Sequence, residues 1–279
     1  MHQVKGFIQI YSRQARDRIV DVGKRFLAQE GLEEISSELF ACVDELIKNA
    51  VKSNYKFILI RERIFEKYKE TWPEKTPSDI DEDINDIVKV PESFNHLAED
   101  ILKTENISAL VREILNEESK LLDIKNRAHL EKRKYTENET RIINTLSKIN
   151  GIRKTLKEKD IRILLRVQSD DDYIYIEVTN TAPILRRDLY RIHKKRDEHR
   201  RYKEQGREHE FFVDNLDTSE AGFGLGYAKI DLILNHWGLS DEQAITIISA
   251  INTTVMITLP IKQLRKRFNV TEKAGANAI

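Results

Sequence analysis

Two groups of residues in this chain have types and spacings suited to phosphate and metal chemistry. The first is E-A-G-F-G-L-G-Y-A-K-I-D-L-I-L at residues 220–234. Gly222, Gly224 and Gly226 fall within five positions, in a chain with only 10 glycines among 279 residues. Glycine tolerates positive φ and lets a ligand approach the main chain closely. A glycine loop that opens into a helix aims unpaired N–H groups and the positive end of the dipole at one point, which suits an anion. The same spacing also serves a tight turn with close helix packing. No Lys-Ser or Lys-Thr follows these glycines, so the loop is not a P-loop, and the polar V-D-N-L-D-T-S before it replaces the strand that a dinucleotide fingerprint requires.

The second group is Glu45 and Asn49, four residues apart and therefore on one side of a helix, one turn from each other. An amide oxygen suits a hard cation such as Mg²⁺, and a carboxylate can order or deprotonate a water. An ordinary solvated stripe has the same spacing. Asn is a mildly poor choice inside a helix because its side chain competes for backbone hydrogen bonds, and this favours the functional reading.

Several elements must position these groups. Residues 14–29 read as a helix with Ala15, Ile19, Val22 and Phe26 on one stripe. Ser36 and Ser37 offer caps for a second helix with an apolar face of Leu39, Phe40, Val43, Leu46, Ile47, Ala50 and Val51. Residues 55–60, Y-K-F-I-L-I, have strand or helix-end character. From Arg61 to Lys159 the composition changes: three prolines, an acidic cluster, and then helical stripes separated by Glu, Lys and Arg. At roughly a hundred residues this stretch is too long for a loop and reads as a helical insertion. Residues 161–167 and 173–179 form a hairpin of strands, followed by a long basic stretch suited to a mobile cover. Residues 227–236 are a helix, and 244–250 and 253–259 form a last hairpin. The tail from Lys262 reads as basic, then small and polar, and is expected to fray.

Taken in order, these pieces resemble the ATP-binding domain of the GHKL superfamily, the group that holds gyrase, a heat-shock chaperone ATPase, sensor histidine kinases and a mismatch-repair ATPase. The resemblance rests on E-L-I-K-N-A at residues 45–50, on G-x-G-L-G-x-A-K-x-x-x-x-x-x-H-x-G from Gly222 to Gly238, and on T-T-V-M-I-T-L-P at 253–260. It is closest to the histidine kinases, covers residues 36–60 and 161–261, and leaves the insertion outside. It implies an α+β fold, a two-layer α/β sandwich with a large helical insertion. It also implies ATP and Mg²⁺ as cofactors. By resemblance, Asn49 would coordinate the metal and Glu45 would position or activate the attacking group as the catalytic residue. Gly222, Gly224, Leu225 and Gly226 would wrap the phosphates, and Thr254 would lie near the adenine. The family's Asp-x-Gly-x-Gly is replaced by Asn180, Ala182 and Ile184. Asn180 can still accept from the adenine amino group, without charge assistance, at a cost on the order of 1 kcal/mol. No histidine before Ser36 has a phosphoacceptor context, so a self-contained sensor kinase is not expected.

These readings divide the chain into 1–60 (N-terminal helices and the first part of the ATP-binding domain), 61–160 (helical insertion), 161–262 (second part, with lid and glycine loop) and 263–279 (tail). The expected function is ATP–Mg²⁺ binding with hydrolysis or phosphorylation of a separate protein. The alternative is a non-catalytic nucleotide sensor or scaffold that keeps the fold and binds a protein. A partner or phosphoacceptor is expected on the insertion, and a homodimer is left open. Balanced charge, with Lys and Arg totalling 47 against 47 for Asp and Glu, gives no bulk attraction to nucleic acid or membrane. The single cysteine, Cys42, excludes an internal disulfide, and the lack of a long apolar run points to a cytoplasmic protein.

Overall fold

The longest element among the described residues is a helix of 36 residues, against which helices from both halves of the chain and two strands of the sheet pack. In the computed structural model, which describes residues 2–215 and 225–269, the chain opens with β1 (His2–Ile8), α1 (Arg13–Gln29) and then this helix, α2 (Ser36–Thr71). Ser12 caps α1 by accepting from the Ala15 N–H, and Gly31 closes the connection at φ +64°, the left-handed region where glycine is unstrained. The expectation of helices alone at the N-terminus, ahead of residue 55, is corrected by β1.

A second correction concerns residues 55–60. They are neither strand nor helix end but the middle of α2. Every residue from Asn54 to Ile60 is buried, as is Arg61, so this part of the helix is covered all round. A helix covered on all sides has no amphipathic period to read, and its Tyr, Phe and Ile content imitates a strand. The expected 60/61 boundary therefore falls inside one continuous helix.

The second half of α2 carries the middle of the chain. Five helices follow: α3 (Pro77–Lys89), α4 (Pro91–Thr104), α5 (Ile107–Leu130), α6 (Glu137–Thr145) and α7 (Ser147–Glu158). Capping boxes start two of them, Thr76 with Asp79 and Thr136 with Glu139. Helices α3, α4, α5 and α7 all pack on α2. Phe57 of α2 meets Phe94 of α4 at 5.3 Å between ring centroids, and Arg61 reaches Asp81 at 2.8 Å. The apolar core runs without a break from this helical region into the rest of the molecule.

The remaining strands are β2 (Ile163–Ser169), β3 (Tyr173–Asn180), β4 (Ile245–Ser249) and β5 (Thr253–Pro260). With β1 they form one antiparallel sheet in the order β1-β2-β3-β5-β4. Alternation sets its faces. Ile174, Ile176, Val178 and Asn180 of β3, and Thr253, Val255, Ile257 and Leu259 of β5, point inward and are buried. The fold is thus α+β. Between β3 and β4 lie α8 (Arg186–Glu204), α9 (Glu208–Asp214), α10 (Leu225–His236) and the short α11 (Asp241–Ala244); α10 packs on both α2 and α8. After β5, the expected fraying tail begins instead as a helix, α12 (Ile261–Arg267), whose Ile261 and Leu264 are buried. Among the described residues no helix is long and apolar enough to cross a membrane.

Candidate functional site

Three elements meet where the first half of α2 crosses the ends of β3 and β5. The register pairs Asn180 directly with Thr253, and both side chains are buried beneath α2. Asn49 and Ser53 of α2, Asn180 of β3 and Thr253 of β5 line a cavity of about 40 Å³. Ile184 after β3, Asp188 and Ile192 of α8, and Tyr227 of α10 close it.

The polar groups in this cavity are under-used. Asn49 is 7% exposed, and neither its amide nitrogen nor its amide oxygen has a hydrogen-bond partner among the described residues. A buried carboxamide left in that state costs about 1–3 kcal/mol, so it calls for a ligand or a functional reason. Asn180 donates to the Ala50 carbonyl and accepts from the Ala182 N–H, both at 3.5 Å, the outer limit of a hydrogen bond. Thr253 donates to the Ala182 carbonyl at 3.2 Å. The second oxygen of Asp188 is also buried without a partner among the described residues.

Glu45 does not line this cavity. It lies one turn away, half-buried, against the first turn of α10. A Cβ placed on Gly226 would clash with its Oε1, so the glycine at that position allows the carboxylate to reach the α10 backbone. A helix N-terminus favours a carboxylate there. That placement suits two roles for Glu45: capping α10, or facing a ligand at the same helix end.

The cover over the cavity is helical and pinned by buried charges. Lys56 of α2 donates to Asp188 of α8 at 2.6 Å, with both side chains 5% exposed. Burial pushes the Lys56 amine below its ordinary range, while the Asp188 charge pulls the other way. Arg196 of α8 forms a bidentate pair with Asp231 of α10 at 2.8 and 2.9 Å. Tyr227 is buried beside them; burial pushes its phenol well above the ordinary range, Asp231 and Glu45 add to this, and Arg196 opposes it. Asp188, Ile192, Arg196 and His199 form one buried stripe at helical spacing along α8.

Of the residues picked out by sequence, Asn49, Asn180 and Ala182 are brought together. Leu225 and Gly226 stand at the start of α10, within the helix rather than in a loop. Gly222 and Gly224 lie outside the described residues. Thr254 does not line this cavity: its hydroxyl meets Thr179 at 2.9 Å on the opposite face of the sheet, and strand parity brings Thr253 to it. The sequence reading missed Lys56, Asp188, Arg196 and Asp231. A signal was available for two of them, since Lys56 and Asp231 are charged residues inside otherwise apolar helical runs.

No protein-family model, curated protein or solved structure matches the chain.

Proposed function

We propose that the chain is an ATP–Mg²⁺-binding protein of the GHKL type that hydrolyses ATP or phosphorylates a separate protein. The observation that carries this reading is Asn49: a buried carboxamide with no partner among the described residues, opening into a cavity shared with Asn180 and Thr253. The order of elements supports it: a helix with Glu45 and Asn49, a strand ending at Asn180, the α8–α9 cover, Gly226 at the head of α10, and a closing hairpin.

The donor set fits a metal that arrives with its nucleotide. Among the described residues no group of three or more His, Cys, Asp or Glu side chains could hold a metal alone. Mg²⁺ keeps waters and substrate phosphates as ligands and needs few from the protein, so the Asn49 oxygen suffices as one. When bound, the metal neutralises phosphate charge. The chain's own residues do the rest. The first turn of α10 offers N–H groups to an anion, Glu45 orients the attacking hydroxyl or water, and Asn180 accepts from the base.

At about 40 Å³ the cavity is smaller than a nucleobase, so binding must displace α8. The Lys56–Asp188 and Arg196–Asp231 pairs set the resistance to that opening. The small cavity also favours a second reading, a scaffold whose nucleotide site has closed and whose α3–α7 helices hold a protein partner. Calorimetric titration of ATP with Mg²⁺ separates the two. Saturable binding that Asn49→Ala abolishes supports the first; no heat at millimolar ATP supports the second.

A further inference from the structure

Besides the polar cavity, an apolar one of about 280 Å³ lies between α1, the first turns of α2 and the sheet, walled by Ile19, Val22, Phe40, Val43, Leu165 and Val167. The feature that calls for a partner lies elsewhere, on the outer face of α8. The inner face of that helix is the buried stripe of Asp188, Ile192, Arg196 and His199. Helical spacing puts Arg187, Tyr190, Lys194 and Arg201 on the opposite side, and all four are exposed. Arg191 flanks them, half-buried. The acids between these cations are committed: Asp188 to Lys56, Asp197 to Arg200 and Glu198 to Lys195. Among the described residues no carboxylate pairs with Arg187, Arg191, Lys194 or Arg201.

This arrangement is unfavourable for the free protein. Arg187 and Arg191 stand one turn apart, and like charges at that spacing repel. Arg187 also lies in the first turn of α8, at the end where the helix dipole disfavours a cation. Burial lowers the Lys56 amine beneath them, Asp188 opposes it, and the charges of Arg187 and Arg191 lower it further, so their field reaches under the helix. A chain with no net charge has thus gathered unpaired cations on one helical face, with Tyr190, 69% exposed, among them. An extended polyanion would relieve the repulsion, and the stripe from Arg187 to Arg201 is about 21 Å long. On α8 no large aliphatic side chain is exposed, which removes the anchor that a lipid surface needs. An exposed tyrosine between cations suits a base on its ring and phosphates to either side. We infer that the outer face of α8 binds a single-stranded nucleic acid, with Arg187, Lys194 and Arg201 on its phosphates and Tyr190 stacked on a base. This surface is distinct from the Asn49 cavity, which the opposite face of the helix covers.

The test is fluorescence anisotropy of labelled thymidine and uridine oligonucleotides of about twenty residues, titrated with the full chain and no ATP. Saturable binding is expected in the micromolar range, weakening between about 50 and about 200 mM salt with a log–log slope of about −2. Equal affinity for the two supports recognition of phosphates and base faces, and a preference for one names the sugar. Arg187→Glu with Lys194→Glu is expected to weaken binding at least about tenfold. Lys24→Glu with Lys120→Glu, the same charge change on exposed residues of other helices, is expected to leave it within about threefold. Arg187→Gln with Lys194→Gln serves if the first pair does not fold. Tyr190→Ala is expected to weaken binding about tenfold with the salt slope unchanged, which a purely electrostatic contact would not show. The inference is overturned by no saturable binding up to about 100 μM at the lower salt, or by equal losses in the α8 and control variants. It is also overturned if polyglutamate binds as tightly as the oligonucleotides, or if anionic phospholipid vesicles bind where the oligonucleotides do not.

Discussion

The two cavities along α2 lie a few turns apart between the same helix and the same sheet, and they are built on opposite principles. The one at Asn49 is small, polar and roofed by a helix held through buried ion pairs. The one under α1 is larger and apolar, beneath a helix whose stripe residues Ala15, Ile19 and Val22 are incompletely buried. Buried ion pairs contribute little net stability over apolar packing but punish the loss of one partner, so the polar end is held in one arrangement. An under-packed apolar layer punishes little and tolerates filling. The polar end therefore reads as a built site and the apolar end as a receptive one.

This contrast can be broken most sharply at the roof. Lys56→Met leaves Asp188 charged, buried and unpaired, and is expected to cost about 3–5 kcal/mol in urea unfolding, whereas Lys56→Met with Asp188→Leu recovers most of that loss. Equal costs for the single and double variants would mean that the pair does not control the roof.

Asp44 comes next, because it ties α1 to α2. It accepts from the Tyr11 hydroxyl at 2.6 Å and pairs with Arg16 at 3.1 Å and Lys48 at 2.7 Å. Burial alone would raise its carboxyl, but the hydrogen bonds from Lys48 and Tyr11 and the charges of Lys48 and Arg16 outweigh burial and hold it below its ordinary range. A depressed carboxylate contributes stability that is present above its unfolded value and lost as pH falls through the folded one. Asp44→Asn is expected to cost about 1.5–3 kcal/mol at neutral pH, and the gap to the wild type should close below about pH 4, measured by denaturation at several pH values.

Asn49→Leu has the opposite sign. Replacing a buried amide that has no partner among the described residues with an apolar group should stabilise the free protein by about 1–2 kcal/mol and remove nucleotide binding. The smallest effect belongs to Val22→Phe, which partly fills the apolar cavity: a gain of about 0.5–1 kcal/mol with nucleotide binding unchanged. Thermal melts with and without nucleotide read both variants, and a change of nucleotide binding in Val22→Phe would show that the cavities are not independent.

What the sequence made legible follows the same division. Periodicity located α1, the start of α2, both hairpins and the helical middle of the chain, because each presents an apolar face over a solvated one. It missed β1, whose six residues from His2 to Phe7 are all exposed and which is held mainly by pairing with β2. It mistook the centre of α2 because burial on every side removes the period. In α8 the buried stripe of Asp188, Arg196 and His199 is itself polar, so the stretch read as a basic mobile cover and its buried, ion-paired face was not legible. For the site, the spacing of Glu45 and Asn49 and the position of Asn180 could be read directly. The choice between Thr253 and Thr254 required the strand's parity.

The most direct measurement is calorimetric titration of ATP with Mg²⁺ into the wild type and Asn49→Ala, with circular dichroism confirming that both are folded. Saturable binding by the wild type and its loss in the variant are the expected results. Equal binding by both, or none by a folded wild type at millimolar ATP, would contradict it.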